Sequence, residues 1–367
     1  MHHVTLDTLR KNVLHRAIAL LTLAATLSGC DATTTTKPGH TPESTTQPAT
    51  APITTTQPVT KLTPPGHVVK LSGEGWEMVV HPSIGRITSF SRPGGPNLLW
   101  VNESPEPIGR NKEWIDWGGD KVWPSPQDQW PAALGRKWPP GSAYEGGDWA
   151  MLIYQGGYGA QEELDRRDSV RHFFSQPVKE IGVKIERSIQ HASPSWVHVD
   201  TTITRTQQRD VDTHVWNVTQ VRVPEFAILS KGDLAFSQDE PIVRFRDAAI
   251  DTQEIALPEK GRSCVVVRPS SVAGKIGTMG RWVAAVYPDV IFVQAIDQAR
   301  PGKYADRSSV QVFQSATNWE LETLGRSDML ELGATRALRV RWGLLDRVAG
   351  EELPDMVKRI QGAVEAK

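Results

Sequence analysis

The chain contains little cysteine and carries almost no net charge. Two cysteines occur among its 367 residues, and the formal net charge at pH 7 is −1. The charged residues form neither a basic stripe nor an acidic tail, which argues against nucleic acid as a partner. With 39% hydrophobic and 23% charged residues, the composition is that of a globular protein long enough to bury a sizeable core.

Motifs of several enzyme classes are also missing. No GxGxxG follows a predicted strand and no P-loop occurs, which excludes two common nucleotide-binding signatures. No GxSxG elbow supports a Ser-His-Asp triad. The histidines show neither the HxH nor the HExxH spacing that is typical of a metal site. We therefore expect no metal and no cofactor.

The first thirty residues have the pattern of an export signal. A basic segment precedes the apolar run AIALLTLAATL, which is too short to span a bilayer as a mature helix. The run ends in LSGC, residues 27–30, and this ending resembles the bacterial lipobox, in which the cysteine thiol is lipidated. The sequence predicts a signal peptide at residues 1–29 and a lipid anchor on Cys30. The alternative is an ordinary secretory peptide with a chance cysteine.

Residues 30–66 are rich in threonine and proline and contain almost no large apolar side chains. Such a segment cannot bury enough surface to offset the entropy of ordering, so we expect an extended or disordered tether. The protein would then be anchored in the cell envelope, facing the periplasm or the exterior. With Cys30 lipidated, Cys264 is left alone and no intrachain disulfide is expected. Its neighbouring valines predict a buried, inert thiol.

From residue 67 onward, a dozen short segments alternate between apolar and polar residues and are rich in β-branched and aromatic side chains. Turn-forming residues separate them, and no long helical repeat interrupts them until the end of the chain. The pattern predicts one all-β sandwich or barrel over residues 67–350. Residues 351–367 are predicted to form a terminal amphipathic helix, whose apolar face contains Met356, Val357, Ile360 and Val364.

The segment WIDWGGDKVWPSPQDQW, residues 114–130, shows neither helical nor strand periodicity. It lies within the longest irregular stretch, from about residue 102 to 147, and long irregular segments in compact domains are often functional. Gly118 and Gly119 allow a sharp turn or a close approach of the backbone to a ligand.

The tryptophans and charges of this segment are suited to a sugar. Trp117 and Trp123 could stack on the C–H faces of a sugar ring, while Asp120 and Lys121 contact its hydroxyl groups. Gln127 is a further candidate contact. The alternative is that the tryptophans close one end of the sandwich and that the aspartate simply pairs with the lysine.

A second candidate is THVWNVTQV, residues 213–221. On a strand, His214, Trp216, Val218 and Gln220 share one face and could line a cleft. A single histidine is more often structural than functional, so both interpretations stay open.

A third candidate is NWELETLG, residues 318–325, in which Glu320 and Glu322 lie two positions apart and point to the same side of a strand. If that side is enclosed, one carboxyl pKa rises and a general base becomes possible. If the side is open to water, the two are only solvated carboxylates.

Several motifs together resemble an uncharacterised bacterial family of the galactose-mutarotase-like superfamily, whose members are often exported or lipid-anchored. The motifs are HPSIGRITSF, NLLW, WGGDKVWPSPQ, WNVTQV, KIGTMGRWVAAVYPDVIFVQ and WELETLG. The resemblance covers roughly residues 67–345. It implies an all-β, two-sheet β-supersandwich with a concave face that binds carbohydrate in many relatives.

The resemblance also implies site residues. In aldose epimerases of this superfamily, a late glutamate acts as base at the anomeric hydroxyl and a mid-chain histidine acts as acid at the ring oxygen. Glu320 or Glu322 would match the base, His214 the acid, and Arg86 an arginine that faces the cleft. The epimerase run Asn-His-x-Tyr-Phe-Asn is not reproduced, since THVWNV shifts the histidine by one position.

We therefore predict a membrane-tethered carbohydrate-binding protein of the cell envelope. One alternative is an epimerase-like enzyme that acts on a sugar or glycan by Glu/His acid–base chemistry. Another is a structural envelope lipoprotein that binds a protein partner.

Overall fold

The structure is a computed structural model. It describes residues 66–108, 114–125, 150–153, 162–163, 170–174, 182–209, 212–233, 242–245, 250–257, 262–327 and 329–366. The predicted signal peptide, Cys30, the tether up to residue 65 and Gln127 lie outside the described residues. Within these ranges, no helix is long and apolar enough to cross a membrane.

The described residues consist mainly of strands. In chain order these are β1 (Val69–Gly73), β2 (Trp76–His81), β3 (Arg86–Ser91), β4 (Pro107–Ile108), β5 (Trp114–Ile115), β6 (Asp120–Ser125), β7 (Ala150–Ile153), β8 (Glu162–Glu163), β9 (Val170–Phe174), β10 (Val183–Ser193), β11 (Trp196–Arg205), β12 (His214–Val221), β13 (Phe226–Lys231), β14 (Val243–Phe245), β15 (Thr252–Ala256), β16 (Ser263–Val267), β17 (Gly274–Thr278), β18 (Trp282–Val286), β19 (Val290–Ile296), β20 (Val310–Gln314), β21 (Trp319–Leu324), β22 (Thr335–Leu338) and β23 (Val340–Asp346). In the described part of the chain, short 3-10 turns occur at Pro82–Ile84 and Ala305–Arg307, and the α-helix α1 spans Leu353–Glu365.

The strands form two large sheets, and β4 and β5 form a separate two-stranded sheet. The first has the order β14-β17-β20-β21-β12-β6-β3-β2-β1-β8. The second has the order β15-β16-β13-β18-β19-β23-β11-β10-β9-β7, with β22 paired to β11. All neighbours in both sheets are antiparallel apart from β1 and β8. The predicted two-sheet all-β fold is confirmed, and each of the dozen segments that alternate in the sequence contains a strand.

The terminal helix is also confirmed. Met356, Val357, Ile360 and Val364 are buried in a cluster with residues of the second sheet. Trp282 Nε1 also donates a hydrogen bond to an oxygen of the helical side chain Gln361 at 2.7 Å. The helix therefore covers the face of the second sheet that points away from the first.

Cys264 lies on β16, fully buried in the cluster beneath α1. Burial raises the pKa of its thiol far above the usual range. The predicted burial of Cys264 is confirmed, and a thiol held in its protonated form is a poor nucleophile.

Strand β10 shows how the space between the two sheets is filled. Its apolar residues Val183, Ile185 and Ile189 are buried, and they alternate with partly exposed ones. Arg187 takes one of the inward positions and is 1% exposed. The interior is therefore apolar with an embedded charge, which needs a partner from the opposite sheet.

Residues 114–125 correct one prediction, because they do not form an irregular loop. Strand β6 lies within the first sheet, between β3 and β12. Gly118 and Gly119 form the turn before it, with φ values of +78° and +73°. A Cβ at these positions would lie 2.4 Å from the Trp100 carbonyl oxygen and 2.3 Å from that of Ile87. Both glycines are thus needed for a close approach of backbone to backbone.

Candidate functional site

The register of the first sheet gathers polar side chains on its outer face, the face that points away from the second sheet. On β12, Val218 lies opposite Lys121 of β6 and Glu322 of β21, while Gln220 lies opposite Glu320. Because side chains alternate along a strand, these residues share one face. With neighbours from β3, β17 and the turn before β6 they form what we call the polar cluster: Arg86, Asp116, Lys121, Gln220, Lys275, Glu320 and Glu322.

Asp116 is central to the hydrogen bonding of the polar cluster. Gln220 Nε2 donates to Asp116 Oδ2 at 3.1 Å and to Glu320 Oε1 at 3.2 Å. Lys121 Nζ lies 3.8 Å from Asp116 Oδ1 and 3.8 Å from Glu320 Oε1. Arg86 Nη1 lies 3.9 Å from Asp116 Oδ1. Burial would raise the pKa of Asp116, but the two cations and hydrogen bonds from Gln220 and the Gly118 N–H lower it below its ordinary value. Asp116 is therefore ionised and fixed in place.

Glu322 is the most deeply enclosed carboxyl group of the cluster. Its side chain is 1% exposed, Trp216 Nε1 donates to Oε2 at 2.6 Å, and Lys275 Nζ lies 2.7 Å from the same oxygen. Burial raises the pKa of Glu322 to about 7; the charge of Lys275 opposes this rise and that of Glu320 adds to it. The other oxygen, Oε1, is buried and has no hydrogen-bond partner among the described residues. The enclosed alternative predicted for the two glutamates is thus confirmed for Glu322.

Two indole rings lie beneath the polar cluster: Trp123 and Trp216 are buried, at 3% and 4% exposure. Trp123 and Trp216 pack edge to face with ring centroids 5.3 Å apart. Lys121 Nζ lies 4.3 Å from the centroid of the Trp123 ring, and Lys275 Nζ lies 4.7 Å from that of Trp216. These cation–π contacts hold both ammonium groups at the carboxylates.

The edge of the polar cluster is open to solvent while its base is closed. The side chains of Asp116, Glu320 and Lys275 are 19%, 16% and 17% exposed, whereas those of Lys121 and Glu322 are each 1% exposed. A ligand at this face would therefore meet charged groups that are already oriented and partly desolvated, which strengthens electrostatic contacts.

Asp120 does not belong to this face, and the prediction that it acts beside Lys121 is wrong. Asp120 is fully buried between the two sheets, where it forms an ion pair with Arg187 of β10. Thr219 Oγ1 also donates to its Oδ1 at 2.6 Å. Adjacent residues of a strand point to opposite faces, so both could not meet one ligand.

His214 is also separated from the glutamates. It lies at the start of β12, four positions before Val218, the residue opposite Glu322. At a rise of about 3.3 Å per residue, the two positions are about 13 Å apart along the strand. The histidine lines a different cavity. The expectation that it faces Glu322 across one cleft is therefore wrong.

Six of the remaining predicted residues lie together on the outer face of the first sheet: Arg86, Lys121, Trp123, Gln220, Glu320 and Glu322. Trp117 is half-buried in the turn before β6. The sequence analysis missed Asp116 and Lys275. Asp116 could have been found from its place beside the Gly-Gly turn. Lys275 is a single cation in an ordinary strand, and only the pairing of β17 with β20 brings it to Glu322.

Comparison with known proteins gives structural matches only. No protein-family model matches the chain, and no curated protein sequence matches it. The chain is similar to a galactose mutarotase-like protein from Lactobacillus casei, with 13% identity, a TM-score of 0.47, and 76% of this chain and 100% of that chain covered. A galactose mutarotase-like protein from Clostridium acetobutylicum matches at 9% identity and a TM-score of 0.44, with 76% and 95% covered. Galactose 1-epimerase from Lactobacillus acidophilus matches at 9% identity and a TM-score of 0.40, with 76% and 93% covered.

Proposed function

We propose that the polar cluster binds a carbohydrate. The observation that carries this proposal is the hydrogen-bonded row of Asp116, Gln220 and Glu320 at a partly exposed edge, next to the indoles of Trp123 and Trp216. Sugars present several hydroxyl groups, which bind to carboxylates and amides. A small set of fixed polar groups beside apolar rings is the usual composition of a small-molecule site.

Calorimetric titration of the purified protein with a panel of mono- and oligosaccharides tests this proposal. We expect saturable binding of at least one saccharide, weakened about 10-fold or more by Asp116→Asn or Glu320→Gln, because each removes a charged hydrogen-bond acceptor. Asp346→Asn is the matched control, since Asp346 is an exposed carboxylate paired with Arg92 elsewhere on the molecule. Absence of saccharide binding by a well-folded sample would contradict the proposal. It would favour the alternative of a structural envelope lipoprotein that binds a protein partner.

A second candidate function is proton transfer at the anomeric centre of a bound sugar. It is favoured by one specific observation, the buried Glu322, whose pKa is raised to about 7. General bases are most effective when their pKa lies near the working pH. In this reaction Glu322 would accept the proton of the anomeric hydroxyl while the ring C–O bond breaks, and the ring oxygen would take a proton from water at the open edge of the cluster. Lys275 would stabilise the negative charge that develops on the sugar. Ring closure would reverse both proton transfers and give the other anomer. Anomer exchange measured by NMR, compared between wild type and Glu322→Gln, tests this reaction.

We further propose that the protein is anchored in the cell envelope through a lipid on Cys30. The support is the sequence LSGC, residues 27–30, followed by the Thr/Pro-rich segment. Cys30→Ala is expected to abolish incorporation of labelled fatty acid and to move the protein from the membrane fraction to the soluble fraction. Cys264→Ala is the control, because it removes the other cysteine. Unchanged lipid labelling in Cys30→Ala would contradict the anchor.

A further inference from the structure

The outer face of the first sheet continues beyond the polar cluster, across β20, β17 and β14. On β20, Phe313 lies directly opposite both Glu320 and Lys275. On β14, Phe245 lies directly opposite Lys275. Residues that lie directly opposite each other on neighbouring strands point to the same side of a sheet. Because Glu320 and Lys275 belong to the polar cluster, the two phenylalanines share its face.

Neither phenylalanine is part of the hydrophobic core. Both side chains are partly exposed, and neither ring packs against the two buried apolar clusters of the described residues. Phe245 contacts Lys275, whose Nζ lies 5.4 Å from the centroid of the ring. Phe226 of β13 is different, because it is also partly exposed but packs against the apolar cluster beneath α1. The two rings of the outer face are thus available to a ligand, and burial of the core does not explain their position.

The polar end of this face has acceptors that lack donors. Gln220 is 3% exposed, and its hydrogen bonds to Asp116 and Glu320 both use Nε2. Its Oε1 is buried and, like Oε1 of Glu322, has no hydrogen-bond partner among the described residues. A buried acceptor without a donor destabilises the protein. This end of the face therefore favours a ligand that brings hydroxyl donors in at the open edge.

Gln220, Glu320, Phe313, Lys275 and Phe245 form one row across five strands, because each lies opposite the next. Neighbouring strands lie about 4.8 Å apart, so Phe313 is about 10 Å and Phe245 about 19 Å from Gln220. A single pyranose ring is much shorter than this row. A monosaccharide held at Gln220 would leave Phe245 uncovered, whereas a chain of sugar rings laid across the strands would cover both phenylalanines.

We propose that this face binds an oligosaccharide, which runs from the polar cluster across β20 and β17 to β14 and packs its rings on Phe313 and Phe245. The inference rests on the carbohydrate site proposed above and adds the class of ligand, a chain of sugar rings. Pyranose rings have apolar C–H faces, which pack on exposed aromatic rings. Lys275 is 17% exposed between the two phenylalanines and can donate to the hydroxyl groups of a ring above it.

Calorimetric titration of the full chain with saccharides of increasing length tests this proposal. The probes are glucose, galactose and mannose, each with its homologous di-, tri- and tetrasaccharides. For the sugar that binds, we expect the affinity to rise about 10-fold or more from the monosaccharide to the trisaccharide, because two further rings then pack on aromatic side chains. The gain should level off once the chain extends past β14.

Phe313→Ala and Phe245→Ala are each expected to weaken binding of the trisaccharide about 5-fold or more, and to change binding of the monosaccharide little. Both variants should fold normally, since neither ring packs in the core. Phe226→Ala is the matched control. It removes a partly exposed phenylalanine that contacts Arg347 on the second sheet, and it should leave the length dependence unchanged.

Equal affinity for mono- and oligosaccharides would overturn the inference and leave the carbohydrate site intact. Tighter binding of oligosaccharides that the Phe313→Ala/Phe245→Ala double variant retains would also overturn it, because the further rings would then lie elsewhere. Binding of no saccharide at all would overturn the inference together with the carbohydrate site.

Discussion

Glu322→Gln is expected to reduce anomer exchange at least about 100-fold if the polar cluster is catalytic, because general acid–base catalysis typically contributes that much or more. The side chain keeps its shape and can still accept from Trp216, but it can no longer accept a proton from the sugar. The wild-type rate should rise as the pH rises through about 7 and level off above it, because only the ionised form of Glu322 is a base.

Two neighbours of Glu322 should move this pH profile in opposite directions. Glu320→Gln removes a negative charge that raises the pKa of Glu322, so its profile should shift to lower pH. Lys275→Met removes the cation that lowers this pKa, so its profile should shift to higher pH. A purely structural role for these residues would change rates without such shifts. Identical rates in wild type, Glu320→Gln and Glu322→Gln would remove both glutamates as the base.

The Glu322 carboxyl group also makes the free energy of unfolding depend on pH, whether or not the protein is an enzyme. The pKa of Glu322 rises from its ordinary 4.5 to about 7 on folding, so the folded state favours the protonated form. Its stabilising contribution is fully present below pH 4.5 and is lost as the pH rises through about 7. The loss is on the order of 3 kcal/mol. Glu322→Gln cannot ionise, so its free energy of unfolding relative to wild type should increase over this range in urea titrations.

Asp120→Asn is expected to lower the free energy of unfolding by about 3–5 kcal/mol, because it breaks a buried ion pair and leaves Arg187 charged between the sheets. Asp120 is fully buried and Arg187 is 1% exposed, so water cannot replace the lost partner. Thr219 would also lose the charged acceptor of its hydroxyl group. Urea unfolding followed by tryptophan fluorescence measures the change.

Two comparisons show whether the ion pair is the cause. The double variant Asp120→Asn/Arg187→Met should lose less free energy of unfolding than the two single variants together. The reason is that the double variant leaves no buried charge uncompensated. Asp346→Asn breaks an exposed ion pair, in which Asp346 is 84% exposed, and should cost under about 1 kcal/mol. A cost as small as this for Asp120→Asn would contradict the structural role assigned to the pair.

The strands and the terminal helix could be predicted because their signals are local. Apolar and polar residues alternate along β2 and β10 because every second side chain is buried. The apolar residues from Met356 to Val364 have helical spacing because one face of the helix is buried. Strand β6 was not predicted, because Asp120 occupies an interior position that usually holds an apolar residue. Its partner Arg187 is 67 residues away. No local pattern indicates that two opposite charges will meet between the sheets.

The candidate site could be predicted only in part, for the same reason. Glu320 and Glu322 lie on one strand, so their common face followed from spacing alone. Gln220 and Lys121 lie on two further strands, and only the register of β12 with β6 and β21 places them beside the glutamates. His214 shares the face of Gln220 by alternation, yet it lies six positions away and at another cavity. Alternation gives the side of a strand but not the position along it.

The most direct test of the proposed carbohydrate site is an NMR titration of the indole Nε1–H signal of Trp216. This group donates to Glu322 within the polar cluster, and Trp216→Phe assigns its signal. If the polar cluster binds a sugar, a saccharide that binds in calorimetry will shift the signal in a saturable manner with the same dissociation constant. Saccharide binding that leaves the Trp216 signal unchanged would show that the sugar lies elsewhere and would contradict the assignment.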